Sequence, residues 1–140
     1  MPTLDSYLFF DGQCDDALRF YERTLGAKLQ MLMTYAQSPD PKNCPPGDPN
    51  RVMHGCVVLP DGRLLMASDS PQGMHRPMQG FALALNYASA DEARKVFDAF
   101  AEGGQVMMPM GRTFWVEAFG MLTDRFGTPW MVSGGEQAQM

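Results

Sequence analysis

The sequence predicts an α+β fold of two βαβββ modules, each a curved four-stranded mixed sheet with one helix on its outer face. Three observations predict it. A helical segment occurs twice, strand-like runs flank both copies in the same order, and each half closes with a glycine hairpin between apolar runs.

The helical repeat comes first. Asp15-Asp16-Ala17-Leu18-Arg19-Phe20-Tyr21 aligns without gaps on Asp91-Glu92-Ala93-Arg94-Lys95-Val96-Phe97. In both, acidic residues open the helix, where they complement the free N–H groups and the dipole of its first turn. Ala17, Leu18, Tyr21 and Leu25 form one apolar stripe, and Ala93, Val96, Phe97 and Phe100 the other. Gly26 and Gly103-Gly104 suit left-handed C-caps. Strands are expected before the helices at 6–10 and 81–87. Three more follow each helix, at 28–34, 52–59 and 63–68, then at 105–110, 114–122 and 128–133. Asp61-Gly62 is a tight-hairpin signal, with Gly127 as its counterpart. The modules therefore span 1–70 and 78–135 of one domain covering 1–140. The first also carries an insertion at 38–50 whose five prolines disfavour regular pairing. That insertion is either an inert surface loop, the simpler reading, or a lid. Each sheet still needs cover on its inner face, so pairing the modules leaves a cleft, a natural ligand site.

Composition narrows the function classes. With 140 residues, 45% apolar, the chain can bury a sizeable core, and 19% charged residues leave room for a partner subunit. A net charge of -5 without a basic cluster argues against nucleic acid. No apolar run approaches the roughly 20 residues that span a bilayer, and the first residues lack a signal-peptide pattern. Cys14, Cys44 and Cys56 have no metal-like spacing and read as reduced thiols of a cytoplasmic protein. Thirteen methionines suggest a soft, adaptable apolar cavity beyond plain core filling.

Several segments carry a resemblance. They are Tyr7-Leu8-Phe9-Phe10-Asp11-Gly12-Gln13-Cys14, Phe20-Tyr21, Leu25-Gly26-Ala27, Leu65-Met66-Ala67-Ser68-Asp69, Thr113-Phe114-Trp115 and the block from Phe119 to Met131. With them the chain resembles the PhnB-like branch of the vicinal-oxygen-chelate superfamily, relatives of glyoxalase I, bleomycin-resistance proteins and extradiol dioxygenases. The resemblance implies the paired-module fold, usually as a homodimer, and little about substrate. Some relatives are called demethylubiquinone methyltransferases. This chain lacks the Gly-rich loop after a first strand that would hold such a cofactor, since Gly103-Gly104 follows a helix.

Metal-dependent members use one position on the first and one on the last strand of each module, typically His or Glu. Carried over, these fall at Ser6, Met66, a position within two residues of Ala82, and Met131. A hydroxyl, thioethers and a methyl are poor partners for hard or borderline ions, so no metal and no cofactor is expected. The two histidines leave relocation open. His54 shares a strand face with Cys56, though an imidazole bonded within the sheet explains it more simply, and His75 sits in a loop-like linker.

Other chemistry has fewer candidates. Cys14 opens a helix but has no base placed nearby. Glu117, in the apolar strand from Phe114 to Phe119, is the best candidate general base if it points into the cleft, and ordinary strand polarity or a cross-dimer partner if it points outward. Asp69 and Asp124 read as turn caps. The expected reading is metal-independent binding of a small apolar or aromatic molecule in the cleft, lined by Ser6, Leu8, Phe10, His54, Met66, Trp115 and Met131, with no nucleic-acid or membrane partner. The alternatives are a metal-dependent lyase, isomerase or dioxygenase with relocated ligands such as His54 and Glu117, and a non-catalytic dimeric module that binds protein.

Overall fold

The computed structural model describes residues 2–40, 42 and 46–137. Cys44 and its neighbours 41, 43 and 45 in the Pro-rich insertion lie outside the described residues. The chain divides into two compact units, Met1–Pro77 and Met78–Met140.

In the first unit, β1 (Ser6–Phe10) leads into α1 (Cys14–Leu25), followed by β2 (Lys28–Thr34), β3 (Val52–Val58) and β4 (Leu64–Asp69). The sheet order is β1-β4-β3-β2, with β1 parallel to β4 and the other pairs antiparallel. The second unit repeats it: β5 (Leu83–Tyr87), α2 (Ala90–Ala101), β6 (Gln105–Gly111), β7 (Val116–Thr123) and β8 (Pro129–Gln137), in the order β5-β8-β7-β6 with β5 parallel to β8. The α+β repeat expected from the sequence is thus present strand for strand.

The hairpins match in their hydrogen bonds as well. Gly62, at φ 91°, donates to the Leu59 carbonyl, and Gly127, at φ 92°, donates to the Asp124 carbonyl. Leu59 N–H donates to the Arg63 carbonyl as Asp124 N–H does to that of Thr128. The positive φ selects glycine at both turns.

The helix caps differ between the copies. Ser89 accepts the Glu92 N–H at 3.1 Å and donates to the Glu92 carboxylate, so α2 starts conventionally. Gln13 makes no side-chain cap for α1. The role passes to buried Asp69 at the end of β4. Its Oδ1 accepts from Gly12 N–H at 2.8 Å and Cys14 N–H at 3.0 Å, and its Oδ2 accepts from Val52 N–H at 2.9 Å. One carboxylate thus ties β4 to the α1 entry and to β3, more than turn capping. Asp124 does cap its turn, accepting from Phe126 and Thr128 N–H, and also holds the Trp130 indole N–H at 2.9 Å.

Each helix covers one face of its own sheet. Leu18 of α1 sits over Gly55, where a Cβ would lie 2.5 Å from its Cδ1, and α2 sits so close to Gly134 that a Cβ there would meet the Ser89 carbonyl oxygen at 2.4 Å. Phe100 of α2 stacks on Trp130 with centroids 4.6 Å apart. Large side chains such as Phe10, Leu18, Tyr21, Phe100 and Trp130 fill these two layers, each contributing about 1.5–3 kcal/mol by burial. The helix face of each sheet is therefore core.

Candidate functional site on the helix-free sheet face

Strand register decides which residues reach the helix-free face. In the first sheet Gly55 pairs with Ala67 and Ala67 with Leu8, so this row lies under Leu18 on the helix face. The adjacent row, Tyr7, Met66, Cys56 and Met31, faces the other way. His54, two residues from Cys56, joins this face with Met33 as its partner on β2. In the second sheet Gly120 and Gly134 touch α2, and the helix-free face carries the row Ala84, Met131, Met121 and Met108. Each sheet thus presents a row rich in thioethers, which organises part of the methionine excess. Beside that second row, the Ser133 hydroxyl donates a hydrogen bond to the Asn86 side-chain Oδ1.

These rows correct part of the sequence reading. Leu8 and Phe10 are only 2% and 1% exposed and belong to the core beneath α1. Ser6 pairs with Leu65 on that same helix face. The period-two alternation holds, but the triplet faces its own helix. Tyr7, 38% exposed, and Phe9, 53% exposed, occupy the opposite face and were missed. The signal for them is the unbroken run Tyr7-Leu8-Phe9-Phe10, because a strand covered on both faces reads as continuous apolar sequence. On the helix-free faces the parallel strands pair Tyr7 with Met66 and Ala84 with Met131, so Ser6 does not share a face with Met66.

His54 and Met66 stay on the helix-free face, as does Met131 on its own sheet. The Tyr7 hydroxyl lies 3.0 Å from His54 Nδ1, and the two rings stack with centroids 5.6 Å apart. Phe9 extends the row, 5.2 Å from Tyr7. Trp115 is not on a strand but in the turn before β7, resting edge-on against Phe119 at 5.3 Å and Phe114 at 4.9 Å. Phe119 pairs with Ser133 on the helix-free face, so Trp115 borders that face at one end of the second sheet.

The other candidates take structural places. The Glu117 carboxylate accepts the Glu136 N–H at 3.2 Å across a bulge between β7 and β8, beside Gly135 at φ 92°. It lines an open recess of about 230 Å³ with Arg112, Thr113 and Phe114. His75 is half-buried with Nδ1 3.5 Å from the Ser70 hydroxyl. Cys14 is fully buried, and burial, with the Asp69 and Asp15 carboxylates, pushes its thiol well above the ordinary range. It is therefore a packing residue and not a nucleophile.

The donor set does not fit a metal of the kind the relatives hold. A phenol, a methyl and two thioethers supply no imidazole or carboxylate. Among the described residues no three His, Cys, Asp or Glu side chains gather as a metal site would require. No described helix is long and apolar enough to cross a membrane.

A βαβββ topology carried twice along the chain defines a class, and comparison with known proteins agrees: residues 3–132 match the glyoxalase/bleomycin resistance protein/dioxygenase superfamily, to which the chain belongs. Among individual relatives, protein YjdN of Escherichia coli is 35% identical over 141 residues, with 95% of each chain covered. The crystal structure of protein PA1353 from Pseudomonas aeruginosa superposes with a TM-score of 0.87 at 39% identity, covering 96% of this chain and 98% of that one. A Bacillus cereus PhnB protein, described as a putative 3-demethylubiquinone-9 3-methyltransferase, shares the fold with a TM-score of 0.81 at 23% identity, covering 96% and 100%. The fold of the PhnB-like resemblance read from the sequence is thereby met.

Proposed function

We propose that the chain binds a small apolar or aromatic molecule on the helix-free sheet faces without the help of a metal ion. The observation that supports this is the composition of those faces. Tyr7, Phe9, Met31 and Met66 in one unit, and Met108, Met121 and Met131 in the other, offer adaptable apolar surface around few polar atoms. Such surfaces suit ligands held by contact and oriented by one or two hydrogen bonds. Binding in the cytoplasm by a homodimer belongs to the same reading. Support for self-association comes from the edge strand β6, where Val106, Met107 and Met108 are exposed in succession.

Two measurements test this. Elemental analysis of protein purified without a nickel column is expected to find no stoichiometric divalent ion. One ion per chain, lost on substitution of His54, would instead establish the metal-dependent alternative. A thermal-shift screen of aromatic and aliphatic compounds is expected to give concentration-dependent stabilisation by aromatic ones. A flat response across the panel, beside a stable complex with another protein, would favour a protein-binding module.

A further inference from the structure

Resting on that reading of the helix-free face, we propose that Tyr7, His54 and Phe9 recognise a planar conjugated molecule carrying a hydrogen-bond donor and an acceptor along one edge. The ring ladder supplies the planarity requirement. Phe9, Tyr7 and His54 follow one another with centroid separations of 5.2 and 5.6 Å, and Tyr7 and Phe9 are open to solvent. The rings are tilted by 40° and 30° to one another, so a flat conjugated ligand can stack on one ring and meet the next at an angle, contacts that a puckered aliphatic ring of similar size makes less well.

The Tyr7–His54 hydrogen bond supplies the edge requirement. A neutral imidazole has one N–H and one bare nitrogen, and a phenol both donates and accepts. When the Tyr7 hydroxyl donates to Nδ1 across the 3.0 Å contact, Nε2 carries the proton and is the pair's remaining donor, while the phenol oxygen keeps acceptor capacity. When Nδ1–H donates to the phenol oxygen, the hydroxyl proton becomes the remaining donor and Nε2 the acceptor. In either tautomer the pair has one donor and one acceptor left over, with the roles exchanged between its ends. A ligand edge with a hydroxyl and a carbonyl satisfies both, in either orientation. A ligand with only an acceptor leaves one end of the pair unmatched when water is displaced, which costs affinity.

The test is calorimetric or NMR titration of the full chain with 3-hydroxyacetophenone, acetophenone and cyclohexyl methyl ketone. The expected order is 3-hydroxyacetophenone at least fivefold tighter than acetophenone, and acetophenone at least threefold tighter than the cyclohexyl ketone. Tyr7→Phe keeps the ring and removes the hydroxyl. It is expected to abolish the fivefold preference, and His54→Phe should do the same if Tyr7→Phe proves unstable. Equal affinity of the wild type for both aryl ketones, or a preference that survives both substitutions, overturns this inference and leaves the aromatic-binding reading standing. Failure of all three ketones to bind overturns both.

Discussion

Single side chains carry much of the architecture, and Asp69 carries the largest share. Its two oxygens accept three backbone N–H groups from segments far apart in sequence. Asp69→Ala leaves those donors unmatched in a buried place and is expected to destabilise the protein by about 3 kcal/mol in urea unfolding. Cys14 sets a pH dependence. Its thiol is held protonated by burial, so its folded pKa lies above the unfolded value, and the ordinary value is 9.0. Above that pH the unfolded chain has released a proton that the native chain still binds. Stability is therefore fully present below pH 9 and falls as pH rises beyond it, by at most about 1.4 kcal/mol per pH unit from this group. Burial pushes the Tyr87 phenol in the same direction, which extends the decline above pH 10.0. Cys14→Ala is expected to flatten the loss between pH 9 and 10 in chemical denaturation measured across that range.

Within elements, the packing of helix on sheet depends on glycines that leave no room for a methyl group. Gly134→Ala would place Cβ against the Ser89 carbonyl oxygen and Ala93, both fixed by the start of α2. It is expected to cost at least about 2 kcal/mol, read as a lowered denaturation midpoint. Gly55→Ala meets mainly the end of the Leu18 side chain, which can rotate, so a smaller loss is expected there. Register is the other property fixed at this scale. Ser6 and Tyr7 are one residue apart, which in a strand puts their side chains on opposite faces, and Tyr7 is the one that shares a face with Met66. In the second module the position expected within two residues of Ala82 includes Ala84, which pairs with Met131.

At the scale of the whole molecule, two units of one topology descend along the chain with matched hairpins and unlike caps. Superfamily membership accounts for that architecture and leaves the ligand open, because relatives with this fold act on different molecules. The exposed apolar run of β6 belongs to this scale, since an uncovered apolar edge strand favours pairing with a second copy. Sedimentation is expected to show a dimer, and Met107→Lys, at a residue 62% exposed, to shift the population toward monomer without altering the circular dichroism of the fold.

The sequence by itself determined the element order, the repeat, both glycine hairpins and the poverty of metal-binding side chains, because these follow from local periodicity, turn chemistry and residue type. It also placed His54, Met66 and Met131 on strands where they reach the helix-free faces. Only the tertiary structure decided which of two apolar alternations in β1 meets the helix, since Tyr7 and Phe9 are as apolar as Leu8 and Phe10 and local pattern does not separate them. It likewise decided that Tyr7 meets His54 and that Asp69 caps a helix from the far end of β4. Both pairings join residues distant in the chain, and strand register, not sequence spacing, brings them together.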